Sequence, residues 1–436
     1  MKILFTTQFI EKNGWYEYFS NNSKSVFRLV YPLKRAYGIR FIKQNVPNIE
    51  MLEFPLWEDY VKKLSEGWDV VGFSFLTQHT GRIVKMAEAA RKAGVKVLWG
   101  GNYGVTNPEV AGLFDRTFTG YAEREVAEAL GAPFERLRHP PLIDQWYISP
   151  SPVKVQLVGQ MQTSRGCPMK CSFCHTPRWE PKPYGLPIES LDETMRFMKS
   201  KRVDWIAVHD ENFGIMHDHS QKVLELFRRH RLFWTPQSRP EIALKRLDEW
   251  CDANFMGMGL GIESVEQQAL ETWDKNLRAG IVMELAEELH RRDRYIFGFY
   301  MIGNEHATYE STIEEIETLA RYDIDYVNLT VATPYPGTPL FDQTEEKYGF
   351  FNKDWSLFDT KRLVWRHPNI TPDQMLKLHE YACLRINTPQ RLFKFMTRIY
   401  KNYARNLKSY AKAGALVSSF PIKSYMLDKE LPFLEG

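Results

Sequence analysis

With 436 residues the chain has the length of about three domains at roughly 150 residues each, and 44% hydrophobic with 25% charged residues is the composition of an ordinary globular protein. A formal net charge of +3 is too small to make nucleic acid a general partner, and no uninterrupted apolar run approaches the roughly 20 residues a membrane crossing takes. Five cysteines, and an N-terminus that runs straight into an apolar strand with no signal-peptide pattern, argue against a disulfide scaffold and for a reducing, cytoplasmic setting.

Residues 2–6, 69–76, 95–99 and 116–120 read as short apolar strands that end in Gly or Ser, with a helical stretch over 81–92, so a parallel sheet with helices on both faces is expected. Ligands of such sheets sit at the carboxyl ends of the strands, here Ser74-Phe-Leu76, Gly100-Gly101-Asn102 and Gly120-Tyr121-Ala122-Glu123. From about residue 155 the alternation resumes, with strands expected at 155–163, 205–209, 233–237, 257–262, 296–302 and 326–331. Six such units read as a partial (β/α)6 TIM-like barrel, whose chemistry belongs at the carboxyl ends of its strands.

The loop after the first barrel strand carries Cys167-Pro-Met-Lys-Cys171-Ser-Phe-Cys174. Three thiolates on one short loop converge on an inorganic centre, and where a closed zinc site wants four ligands they leave a position open. His175, directly after Cys174, is badly placed to complete a zinc tetrahedron, so the open iron of an iron-sulfur cluster is the natural reading. Cys251 and Cys383 have no Cys or His at ligand spacing and read as buried small apolar residues.

The Cys-x3-Cys-x2-Cys spacing, with Phe173 before the last cysteine, resembles the signature of the radical S-adenosylmethionine superfamily. That resemblance implies a 4Fe-4S cluster on Cys167, Cys171 and Cys174, with Asp210 and Glu211 of His209-Asp210-Glu211-Asn212-Phe213 gripping the methionine amino group. It further implies that Ser238 and Arg239 end the third strand beside substrate or carboxylate, that Glu263 and Ser264 reach the ribose and carboxylate, and that Ile302 and Thr333 flank the adenine. The N-terminal segment resembles the cobalamin-binding Rossmann domain found ahead of that core, with Ser74, Leu76, Gly100, Gly101 and Gly120 at the ligand edge. The family's Asp-x-His-x-x-Gly element is missing, because the first histidine is His79, and a Rossmann domain that holds no cofactor and merely caps the barrel stays open as an alternative. The expected architecture is α/β: a Rossmann-like cobalamin-type domain over 1–150, a radical S-adenosylmethionine barrel over 151–345 and a helical C-terminal region over 346–436.

The function so implied is an enzyme that uses S-adenosylmethionine, and an electron from a reductase or a flavodoxin or ferredoxin donor, to make a 5'-deoxyadenosyl radical. With cobalamin, the outcome is methylation of an unactivated carbon of a small molecule, a lipid or another secondary metabolite. Two alternatives stand beside it: a radical enzyme with an empty Rossmann domain that drives dehydration, cyclisation or rearrangement, and a non-catalytic iron-sulfur electron-transfer protein. By position His175, Arg178 and Tyr335 are the catalytic candidates, with Trp179 and His209 near them.

The tail begins a helix at Thr371-Pro-Asp-Gln, where Thr suits the cap and Pro the first turn. A second helix follows Thr388-Pro389 and interleaves Arg391, Lys394, Arg398, Lys401, Arg405, Lys408 and Lys412 with Leu392, Phe393, Phe395 and Ile399. Such a helix either lies on an anionic membrane, giving peripheral membrane association through 389–412, or presents a solvated face over ordinary packing. A break at 414–419 and a return of 420–436 over the barrel mouth complete the expectation.

Overall fold

All four residues of the first strand are buried, the pattern of a parallel strand covered on both faces. In the computed structural model, which describes residues 1–11, 30–32, 35–148, 153–351 and 353–410, this strand, β1 (Ile3–Thr6), belongs to a five-stranded sheet. β2 (Val30–Pro32) lies in the other large sheet, and β3 (Ile49–Leu52), β4 (Val70–Ser74), β5 (Val97–Gly101) and β6 (Arg116–Phe118) complete the order β3-β1-β4-β5-β6, all parallel. Strand order reverses between β1 and β4, and a crevice opens at such a switch point. Helices Tyr37–Asn45, Trp57–Leu64, Thr80–Lys92 and Glu123–Ala129 accompany the sheet.

β7 (Leu142–Ile148) and β8 (Val153–Met161) form an antiparallel pair that opens the second sheet. β9 (Ser164–Arg165) and β10 (Tyr184–Gly185) form a short ribbon around the cysteine loop. β11 (Trp205–Val208), β12 (Trp234–Ser238), β13 (Gly257–Glu263), β14 (Tyr295–Ile302) and β15 (Tyr326–Val331) follow β8 in parallel. The six expected barrel strands are therefore present, and the sheet runs β15-β14-β13-β12-β11-β8-β7-β2. β7 and β2, inside the expected 1–150 segment, add to the barrel sheet as antiparallel edge strands. Along β15 half-buried and buried residues alternate, and β14 does so over its last six residues. The buried set packs beneath helices Ile281–Arg291 and Tyr309–Arg321, so Phe297, Phe299, Tyr326 and Asn328 fall on the concave face.

Helix Pro372–Ile386, capped by Thr371 and Gln374 as its sequence predicts, packs Met375, Leu378, Ala382 and Ile386 into the barrel core. Helix Pro389–Tyr410 closes the bottom of the barrel, with Phe395, Leu392 and Ile399 against Met256, Tyr295, Trp205 and Phe233. Its basic residues turn to the same body: Arg391 donates to the Ala320 and Tyr322 carbonyls, Arg398 pairs with Asp325 and Asp323, and Lys394 and Lys401 lie 3.6 Å from Asp323 and Asp293. The amphipathic pattern thus has a packing cause over these turns. Among the described residues no helix is long and apolar enough to cross a membrane. Lys412, the 414–419 break and residues 420–436 lie outside the described residues.

Candidate active site

The cysteine loop is held by the strand ends around it. Asp210, just beyond β11 and 1% exposed, accepts hydrogen bonds from the Thr163 amide, the Thr163 hydroxyl and the Ser164 hydroxyl, each at 2.6 Å. Its carboxylate therefore fixes the peptide that enters the loop, while burial pushes its pKa up against the pull of those donors. Gly166 turns the chain with a φ of +86°, where a Cβ would sit 2.8 Å from the Lys182 carbonyl oxygen. Farther along, the Cys167 amide donates to the Glu180 carbonyl (2.9 Å), Ser172 to that of Trp273 (3.0 Å), and Leu340 to that of Ser172 (2.9 Å).

Burial raises all three thiol pKa values, and each thiol also feels the charge of another of the trio. Lys275 and Arg239 oppose the rise at Cys171. Among the described residues no three Cys, His, Asp or Glu side chains close to the geometry of a single metal ion, whereas a cluster takes each thiolate on its own iron. Thiols that share one partly buried loop, with cations beside them to offset the charge of bound thiolates, fit such a cluster.

The remaining strand-end residues form a shell whose polar groups are largely bonded to one another. Glu263, at a φ of +61°, pairs with buried Lys275 at 2.8 Å, and the Lys275 ammonium lies 6.0 Å from the Phe173 ring. Arg239 donates to the Lys275 and Asn276 carbonyls at 2.9 and 2.6 Å, so its fork orders the loop that presents Lys275. Ser238 donates to the Phe213 carbonyl (2.6 Å), Ser264 to Glu315, and Thr333 to the Val331 carbonyl (2.9 Å), while Ile302 is wholly buried. Two groups of this shell stay buried without a partner, the Ser172 hydroxyl and the Asn212 amide nitrogen. Lys275, on a loop between β13 and β14, belongs to no motif, and only its burial beside Cys171 marks it.

A cavity of about 290 Å³ opens where the two sheets meet. Ser74, Gly100, Gly101 and Gly120 line it from the N-terminal sheet, and Thr176, Trp179, Glu180 and Glu211 from the barrel. Leu76, expected in the same group, is half-buried at the head of the Thr77–His79 turn and outside this lining. The two adjacent glycines differ. The Phe114 ring fills the side-chain position of Gly100, 2.5 Å from where a Cβ would be, whereas at Gly101 the nearest atom is 3.8 Å away.

His175 is buried, its Nε2 hydrogen-bonded to the Pro336 carbonyl (2.9 Å) and its ring stacked on Tyr103 at 4.6 Å, and burial lowers its pKa. Tyr335 donates to the Phe358 carbonyl (2.8 Å), Arg178 is exposed, and burial lowers the pKa of His209 to about 4. His175 thus braces the seam between the two sheets through its stack on Tyr103, while Tyr335 spends its hydroxyl on a carbonyl of its own side.

A polar chain crosses that seam; Tyr121, Glu123 and Glu211 stand in segments the sequence singles out, whereas nothing in the sequence marks Arg165. Arg165 makes two hydrogen bonds to Glu123, at 2.8 and 3.0 Å, and its guanidinium lies 3.9 Å from the Tyr121 ring centroid. Tyr121 donates to Glu211, and the other oxygen of Glu211 accepts from the Gly166 amide at 3.2 Å.

Residues 161–310 match the Radical SAM superfamily. Across 393 residues the chain is 24% identical to a bacteriochlorophyllide d C-8(2)-methyltransferase of Chlorobaculum tepidum, covering 79% of this chain and 86% of that one. It is 25% identical over 242 residues to the hopanoid C-3 methylase of Methylococcus capsulatus, 54% of this chain and 44% of the other. In fold it is similar to TsrM of Kitasatospora setae, a radical S-adenosylmethionine methyltransferase solved with cobalamin and a [4Fe-4S] cluster, with a TM-score of 0.58 at 14% identity over 80% and 75% of the two chains. It is also similar to the cobalamin-dependent S-adenosylmethionine radical enzyme OxsB, with a TM-score of 0.57 at 11% identity over 87% and 66%.

Proposed function

We propose that the chain, whose residues 161–310 match the Radical SAM superfamily, is a cobalamin-dependent C-methyltransferase whose cluster is held by Cys167, Cys171 and Cys174. The observation that carries this reading is that the segment beginning two residues after Cys174, with Thr176, Trp179 and Glu180, is the barrel-side wall of the crevice. A group in the crevice therefore lies against the cluster loop. When bound, the cluster with S-adenosylmethionine supplies a radical able to take hydrogen from an unactivated carbon, and a corrin supplies the methyl group.

The chain's own residues do the placing. Asp210 holds the loop entrance, Lys275 and Arg239 put positive charge beside Cys171, and Asn212 and Ser172 keep unpaired polar groups for a ligand. Glu123, Glu180 and Glu211 give the crevice acceptors suited to the amide rim of a corrin. About 290 Å³ is at the lower end of small-ligand sites, roughly 300–1,000 Å³, so the enclosed part would admit only an edge or tail of so large a ligand, held by the residues that line it.

An apolar substrate is in keeping with relatives named for bacteriochlorophyllides and a hopanoid, and half-buried Phe299, midway along β14, gives the concave face an aromatic surface to meet it. The electron comes from a flavodoxin- or ferredoxin-type donor, and exposed Phe393 is where peripheral membrane contact would begin.

Anaerobic reconstitution with iron, sulfide and hydroxocobalamin, followed by turnover with reductant and candidate apolar substrates, tests the proposal. S-adenosylhomocysteine and 5'-deoxyadenosine formed in equal amounts are expected, one from each S-adenosylmethionine used. 5'-Deoxyadenosine alone, with no corrin retained, would favour the empty-domain alternative.

A further inference from the structure

We propose that Arg165 and Glu123 are a positioning pair that links occupancy of the crevice to assembly of the cluster loop, an inference that rests on the reading of the crevice as a corrin site. Arg165 stands two residues before Cys167, and Glu123 opens helix Glu123–Ala129 three residues after Gly120, so the pair ties one sheet to the other. Their side chains are 1% and 5% exposed. Two parallel hydrogen bonds set the angle of the guanidinium, which is sandwiched between the rings of Tyr121 at 3.9 Å and Phe41 at 4.6 Å.

The third edge of the guanidinium donates to Gln162 (2.9 Å), whose amide donates to the Tyr121 hydroxyl (2.6 Å). Tyr121 reaches Glu211, and Glu211 accepts from the Gly166 amide, one residue before Cys167. Tyr121, Glu123 and Glu211 all line the crevice. A ligand there touches the groups that set the path of the cysteine loop.

An apolar pair of the same volume would hold two buried surfaces together as well as an ion pair does. What the planar fork adds is fixed orientation, and orientation is what a methyl carrier and a cluster on separate sheets require of each other. Coupling of this kind is reciprocal: if the cluster favours the corrin, the corrin favours the cluster by the same factor.

The test is a titration with hydroxocobalamin, followed by its visible spectrum, on the full chain with and without reconstituted cluster. In the wild type the corrin should bind about fivefold or more tightly once the cluster is present. The double variant E123L/R165M, which removes both charges at similar volume, should bring that ratio to one, and R165K, which keeps the charge without the fork, should lower it even if the double variant does not fold. Corrin binding with a wild-type ratio of one, or a ratio unchanged in R165K, would overturn this inference alone. A wild type that binds no corrin would overturn the reading of the crevice and this inference with it.

Discussion

Asp210→Asn changes one atom and separates a residue that binds ligand from one that builds the loop. The wild-type carboxylate takes two hydroxyl donors and one amide, all at 2.6 Å. In the variant Oδ1 can keep the Thr163 amide, but an NH2 group faces the two hydroxyls. Two charge-assisted hydrogen bonds of roughly 1.5–3 kcal/mol each are lost and two neutral ones of about 1 kcal/mol each replace them. Allowing for relief of the buried charge, the net loss is about 1–3 kcal/mol, or a melting temperature lower by roughly 1–3 °C in a chain of 436 residues. Because the affected peptide enters the cysteine loop, iron and sulfide retained after anaerobic reconstitution should fall to less than half. The assay is differential scanning fluorimetry beside colorimetric iron and sulfide on the same samples. Wild-type melting and metal content, with only the affinity for S-adenosylmethionine changed, would refute the reasoning.

Other perturbations separate the remaining parts. Lys275→Met leaves Glu263 as a buried unpaired charge, costing about 3–5 kcal/mol, and removes a cation beside Cys171, so the cluster's reduction potential should become more negative on the order of tens of millivolts in an EPR-monitored titration. An unchanged potential would detach Lys275 from the cluster. Gly166→Ala, whose Cβ would meet two backbone carbonyls at 2.8 and 2.9 Å, should lose the cluster more completely than Gly120→Ala, whose Cβ meets the Glu180 carboxylate at 3.0 Å; equal iron content in the two would count against the tight entry turn.

His139 is fully buried, with Nδ1 on the Pro140 carbonyl and Nε2 accepting from the Gln162 amide, and burial lowers its pKa from 6.5 to about 3. The unfolded chain takes up this proton first, so stability falls as pH drops through that window, by about 2.5 kcal/mol between pH 7 and about pH 4.5. His139→Gln should remove that increment from the pH dependence of urea unfolding of the apoprotein, and an unchanged slope would place the titration elsewhere.

The parts of this molecule visible in its sequence are those whose physics is local. Buried parallel strands leave short apolar runs, so the six barrel strands and β1, β4, β5 and β6 could be placed, and glycines at strand ends led to Gly100, Gly101 and Gly120. β7 escaped because its third residue, Asp144, is buried and bonded to Tyr37, which breaks the apolar pattern of a strand. Arg165 carries no sequence sign of its pairing with Glu123, 42 residues away, because the pair forms only when folding stacks one sheet on the other. The basic run of helix Pro389–Tyr410 left a membrane face and a solvated face both open in the sequence because the partners of Arg391 and Arg398 lie some 70 residues upstream, with the Arg398 and Asp325 positions separated by 73. Leu76 shares its short motif with Ser74, yet the strand ends at Ser74 and Leu76 heads the turn that follows, outside the cavity lining.

The most direct test of the central claim is reductive cleavage of S-adenosylmethionine by anaerobically reconstituted protein, in the wild type and in Cys167→Ala, Cys171→Ala and Cys174→Ala. The account predicts 5'-deoxyadenosine and a reduced-cluster EPR signal in the wild type, and loss of both in each variant while hydroxocobalamin is still bound. Cleavage that persists when any one of the three thiols is gone would contradict it.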